Sequence, residues 1–237
     1  MKKILLILLS LVLVISLFSC GKTDEKNDEK TNGKADEKIE EKTADDMSWK
    51  IEEGVLIISG HGKMPDYLDE NGTLTERPWD SEEENFDSVA IEEGITSVGA
   101  GAFKDFQNLF GLYLDDGIKS SGDSAFEKCT SLYVEDLPSS LESIGNNAFK
   151  CCYGIDNIEI PKNVKNIGEA AFARCYTLST VEIGKNIESI GAGAFVGSRV
   201  PTTFEFDGTK AEWKKLGGSS LVDDDATVNC TDGAYGE

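Results

Sequence analysis

The chain has 237 residues, enough for one large or two small domains, and carries 23 Lys plus Arg against 44 Asp plus Glu, a formal net charge of −21. A surplus of acid on this scale opposes electrostatic binding to nucleic acid or to anionic lipid headgroups. A single histidine, His61, and six cysteines leave little material for His-based catalysis or metal sites, while 39% hydrophobic residues suffice for a packed core.

The averages conceal three different materials in series. Residues 1–19 open with Met-Lys-Lys and continue as an apolar run interrupted only by Ser10 and Ser16 as far as Phe18. This is an export signal, too short and wrongly flanked for a stable transmembrane helix. It ends in Leu17-Phe18-Ser19-Cys20, which resembles the bacterial lipobox, where a lipid is attached to the cysteine sulfur and a peptidase then cuts before it. Small Ser19 and Gly21 suit that peptidase, and Phe18 is bulkier than its usual choice. On this reading Cys20 is the lipidated first mature residue; the alternative is a plain secretory signal with an incidental cysteine.

From residue 20 to 46 lysines recur every fourth position from Lys22 to Lys42, with acidic pairs such as Asp24-Glu25 and Glu40-Glu41 between them. With no aromatic and almost no aliphatic side chains, the stretch cannot offset its ordering entropy and reads as a solvated tether. As a coil it would span roughly 30 Å r.m.s..

The remainder is organised by a repeat. Ala-Phe occurs at 102–103, 125–126, 148–149, 171–172 and 194–195, each copy 23 residues after the last, and Gly99, Gly122, Gly145, Gly168 and Gly191 keep the same step. Ile158-Glu159-Ile160 alternates inward and outward like a short strand, with equivalents at 89–91, 112–114, 181–183 and 204–206. The repeated glycine offers a positive φ for a turn, and the Ala-Phe after it begins a short helical stretch. Since one unit leaves an apolar face open, the units are expected to stack as rungs of a parallel sheet about 4.8 Å apart. Ser121 and Glu135 stand where inward aliphatic residues are expected, so their rung should be the loosest.

A solenoid needs both open ends covered. Trp49 to Ile58, with Glu53-Gly54 between two apolar runs, reads as a hairpin sealing the first rung. Thr209-Lys-Ala-Glu212 is a capping box that opens a helix through Leu216, and Ala226 to Cys230 reads as a last strand. Trp49 and Trp213 are assigned to cap packing.

The pattern Leu-x-x-Ile-x-Ile-Pro, Val-x-x-Ile-Gly, x-x-Ala-Phe, x-x-Cys, clearest from Ile155 to Cys175, resembles the BspA-type leucine-rich repeat. The resemblance implies a leucine-rich repeat solenoid of parallel β rungs with short helical turns, capped by an N-terminal β-hairpin module and a C-terminal helix and strand. The organisation is then signal 1–19, tether 20–46, capping module 47–85, repeats 86–206 and C-terminal cap 207–237. It also implies a bacterial surface protein, lipid-anchored through Cys20 and facing outside the cytoplasm, that binds or adheres to a protein partner on a host or bacterial surface. The alternatives are a lipid-anchored enzyme or glycan-handling subunit, and a purely structural envelope protein.

No G-x-S-x-G, H-E-x-x-H or Walker loop is present, and an enzyme is not expected. His61 falls in a turn. Cys129, Cys152 and Cys175 occupy one repeat column without C-x-x-C spacing and read as buried free thiols, since stacked rungs keep their Cβ atoms near 4.8 Å, beyond the usual disulfide separation of about 3.5–4.5 Å. Alternation turns one residue per rung outward, in the column Ala90, Tyr113, Asp136, Glu159, Glu182 and Glu205. Four carboxylates in a row are either a solvated face screened by Lys162 and Lys185, or a binding face for a basic partner or Ca²⁺; no other cofactor is expected.

Overall fold

A computed structural model describes residues 40–42, 47–198 and 202–236. The signal, Cys20 and most of the tether lie outside the described residues.

The first described strand, β1 (Glu40–Lys42), pairs antiparallel with β2 (Met47–Glu52). It falls inside the stretch read above as a tether, because the outer edge of β2 presents unpaired backbone groups to any chain that passes it. β2 forms a hairpin with β3 (Val55–Gly60) through Glu53 and Gly54, whose φ values of 50° and 78° suit a tight turn between twisted strands. β3 then pairs parallel with β5 (Ser88–Ile91), so the hairpin covers the first rung as expected.

The repeats contribute four-residue strands on one side, except at residues 134–136, and shorter strands on the other, two residues long apart from the four residues of Ile95–Val98. After β4 (Gly62–Lys63), the short strands are β6 (Ile95–Val98), β8 (Ser120–Ser121), β9 (Ser143–Ile144), β11 (Asn166–Ile167) and β13 (Ser189–Ile190). They form one continuous six-stranded parallel sheet with β4. The longer strands are β5, β7 (Gly111–Leu114), β10 (Asn157–Ile160), β12 (Thr180–Ile183) and β14 (Thr203–Phe206). These fall into two sheets, β1-β2-β3-β5-β7 and β10-β12-β14-β15-β16, where β15 is Thr227–Cys230 and β16 is Gly233–Ala234.

The break between the two sheets is the loose rung. Val134 and Leu137 are both buried there while Glu135 and Asp136 are exposed. Inward residues three apart cannot belong to one strand, whose side chains alternate with period two. The chain keeps a single bridge, Gly111 to Tyr133, one residue out of the 23-residue step. Glu135 therefore does not take the inward place, and Asp136 stands outside any ladder. Ser121 does keep its place on β8, buried, with its hydroxyl unpaired.

The third side of each unit differs from the expectation in detail. The Ala-Phe segments are single turns rather than helices. Alternate amides bond within a rung (Ala125 to Gly122, 3.3 Å) and to the next rung (Phe126 to Ala148, 2.8 Å). The repeated glycine does not have positive φ; that conformation comes two residues later, at Gly101, Ser124, Asn147, Ala170 and Gly193. Close stacking requires the glycine instead, since a Cβ on Gly145 would lie 2.6 Å from the carbonyl carbon of Gly122.

The core is built from columns. Trp79, Phe103, Phe126, Phe149, Phe172 and Phe195 stack in sequence with centroid separations of 5.1–5.4 Å. At the far end the ring of Phe204 meets Phe195 edge-on, and Trp213 on α1 (Lys210–Leu216) covers Phe204 and Phe206. The capping box at Thr209 and Glu212 is present. Trp49 and Trp213 are both buried, which fits cap packing.

Candidate binding face

On β10, β12 and β14 the pairing is in register, Glu159 to Glu182 to Glu205, and β15 continues the row with Asn229. The flanking Ile158, Ile160, Val181, Ile183, Phe204 and Phe206 point into the core, which leaves the glutamates no side but solvent. The three carboxylates line an open depression of about 480 Å³ together with Lys162, Asp207 and Asn229. Among the described residues none of the three is in an ion pair, and the Asn229 amide donates to Glu205 Oε1 at 2.8 Å. Lys162 borders the depression without closing on a carboxylate.

The other members of the expected column lie elsewhere. Ala90 is buried on β5, Tyr113 is half-buried on β7, and Asp136 is exposed in the broken rung. The ladder thus holds three carboxylates rather than four, for the register reason given above. No group of three or more His, Cys, Asp or Glu side chains is placed to hold a metal ion among the described residues.

His61 is exposed and borders a second open hollow with Glu93, Thr96 and Asp116, and it makes no side-chain hydrogen bond among the described residues. The column cysteines are free thiols, fully enclosed, each donating to a carbonyl of the preceding rung: Cys129 to Phe103, Cys152 to Phe126 and Cys175 to Phe149, at 3.0, 3.1 and 3.2 Å. Burial pushes the Cys175 thiol up to about 12 and raises Cys129 and Cys152 as well. They are inert fillers at neutral pH.

Two features escaped the sequence reading. One is a polar ladder beside the glycine column: Asp123 accepts from the Asn146 amide at 2.7 Å, and Asn146 accepts from the Glu169 amide at 2.8 Å. The other is a pair of exposed rings, Phe110 and Tyr133, beside the broken rung. Their signal was a column that is otherwise polar and turns aromatic for two rungs.

Parallel rungs of fixed period, with strands along two sides and turns along the third, define a leucine-rich repeat solenoid. The chain belongs to the BspA-type leucine-rich repeat family, whose model matches residues 81–200 in six copies. Among solved structures it is similar to a leucine-rich repeat protein from Eubacterium ventriosum, 18% identical with a TM-score of 0.51, over 81% of this chain and 68% of that one. It is similar also to one from Bacteroides ovatus, 23% identical with a TM-score of 0.51, over 69% of this chain and 46% of that one, so the match takes in about half of that protein. At these identities the likeness is one of fold. No curated protein matches the chain.

Proposed function

We propose that the chain is displayed outside the bacterial cytoplasm, held to the membrane by a lipid on Cys20, and that its solenoid binds a protein partner through a basic segment of that partner. Its family and fold are those of repeat proteins that are generally non-enzymatic and support a protein-interaction role in general. The finer reading rests above all on one observation: Glu159, Glu182 and Glu205 stand in register over an open depression, with no ion pair among the described residues. Carboxylates about 4.8 Å apart repel one another, and a cationic partner relieves that repulsion when it docks. The charged stretch 20–46 would hold the solenoid clear of the lipid surface.

The test is capture from envelope and host-matrix extracts by the immobilised chain, compared with its Glu159→Lys/Glu182→Lys variant. Loss of specific bands in the variant is expected, and unchanged capture would remove this face from consideration. For the anchor, Cys20→Ser should move the protein from the membrane to the soluble fraction; continued membrane retention would count against lipidation there.

A further inference from the structure

Phe110 and Tyr133 are 55% and 44% exposed, and their rings stack with centroids 6.3 Å apart and planes 19° from parallel. Packing does not call for them, because the buried phenylalanine column is complete without them. Their own column reads Asp87, Phe110, Tyr133, Asp156, Ser179, Thr202, polar at every other rung.

The backbone fixes the order along this column: the Phe110 amide donates to the Asp87 carbonyl at 2.6 Å, and the Tyr133 amide to the Phe110 carbonyl at 2.9 Å. The ring pair is therefore preceded by Asp87 on the rung before, and the 23-residue step of the sequence puts Asp156 on the rung after; both are exposed. Between Tyr133 and Asp156 the long-strand sheet is interrupted, so this side of the ring pair is not closed by a regular ladder. Glu135, exposed two residues beyond exposed Tyr133, adds a third carboxylate, and the Tyr113 ring lies 3.2 Å from where a Cβ on Gly111 would stand, its phenol raised by burial first and then by the charges of Glu135 and Asp87. None of Asp87, Glu135 and Asp156 is in an ion pair among the described residues.

Exposed ring faces bordered by carboxylates that no cation neutralises among the described residues suit a flat, delocalised cation, since a guanidinium stacks on an aromatic ring while its N–H groups reach carboxylates. An apolar partner would strip water from the carboxylates without replacing its hydrogen bonds. The protein already makes this arrangement internally, where Arg77 Cζ sits 4.3 Å from the Phe106 ring centroid and Nε donates to Asp80 Oδ1 at 2.6 Å. We propose that Phe110 and Tyr133, with Asp87, Glu135 and Asp156, form a docking site for an arginine side chain of the partner. This rests on the reading that the partner is basic, and it names the residue type that anchors it.

The test is fluorescence anisotropy at low salt with the full chain and labelled nona-arginine or nona-lysine, which carry equal charge. Wild type should prefer nona-arginine by about fivefold. Phe110→Ser/Tyr133→Ser, which restores the polar character of the column, should abolish the preference while leaving nona-lysine affinity within about twofold; Tyr133→Ser alone should reduce it. An unchanged melting temperature establishes that the variants are folded. Equal affinity of wild type for both peptides, or a preference that survives the double substitution, overturns the arginine site and leaves the basic-partner reading standing. Failure of both peptides to bind wild type overturns both.

Discussion

Phe149 is 1% exposed and lies between the rings of Phe126 and Phe172, at 5.1 and 5.2 Å. Neither neighbour can move into its space without unstacking from the next ring, so Phe149→Ala should cost about 3–5 kcal/mol in chemical denaturation. A loss below about 1 kcal/mol would contradict its place in the column. The thiols below these rings should be silent to a thiol reagent in the native state at neutral pH. Unfolding without reductant should release all five described cysteines, and absence of free thiols would contradict the structure. Glu127 is 8% exposed and sits between Lys104, with which it forms a hydrogen-bonded ion pair, and Lys150 at 3.9 Å. Burial, the largest influence, raises its carboxyl, but hydrogen bonds from Lys104 and Ser124 and the charges of Lys104 and Lys150 together outweigh it and the net shift is downward. A carboxyl lowered on folding stabilises the protein above its unfolded pKa, and that stabilisation is lost as pH falls through the folded value. Glu127→Gln should therefore lower the denaturation midpoint at pH 7, with the gap to wild type closing toward pH 3.

At the scale of elements, the strands were legible because the alternation Ile158-Glu159-Ile160 and its equivalents can bury one face in only one way. The broken rung was legible as a weakness, through Glu135 and Ser121, but not as a change of sheet. That depended on Val134 and Leu137 both finding the core, which the alternating template did not include. The glycine column was legible in position and misread in cause: spacing cannot distinguish a left-handed turn from a close approach, and both exclude a side chain. Gly145→Ala should test the cause, because its Cβ would meet Gly122 backbone rather than a flexible side chain. A destabilisation of about 1–3 kcal/mol is expected from the melting curve. Conversely, Ser121→Val fills a column between Val98 and Ile144 and removes an unpaired buried hydroxyl. It should raise stability by about 1–2 kcal/mol.

For the whole molecule the charge has an address. Residues 47–237 hold 34 of the acids and 15 of the bases, so the folded part alone carries −19. Self-repulsion of that size destabilises a compact state and is screened by salt. The melting temperature should rise between low and moderate NaCl, while binding of a cationic peptide should weaken over the same range. Glu182→Lys should separate the two effects, since it places a cation between Glu159 and Glu205. Stability should hold or increase while cationic binding falls, and a parallel loss of both would argue that the row is structural.

The sequence by itself determined the period, most inward columns and the family, which follow from residue type at a fixed step of 23, and both caps, which follow from the Glu53-Gly54 turn and the Thr209–Glu212 capping box. Only the tertiary structure decided where the long-strand sheet breaks, which three glutamates share a ladder, and that Phe110 and Tyr133 face solvent. Those outcomes depend on competition between neighbouring rungs for register and core space, and no single repeat contains the information to settle it.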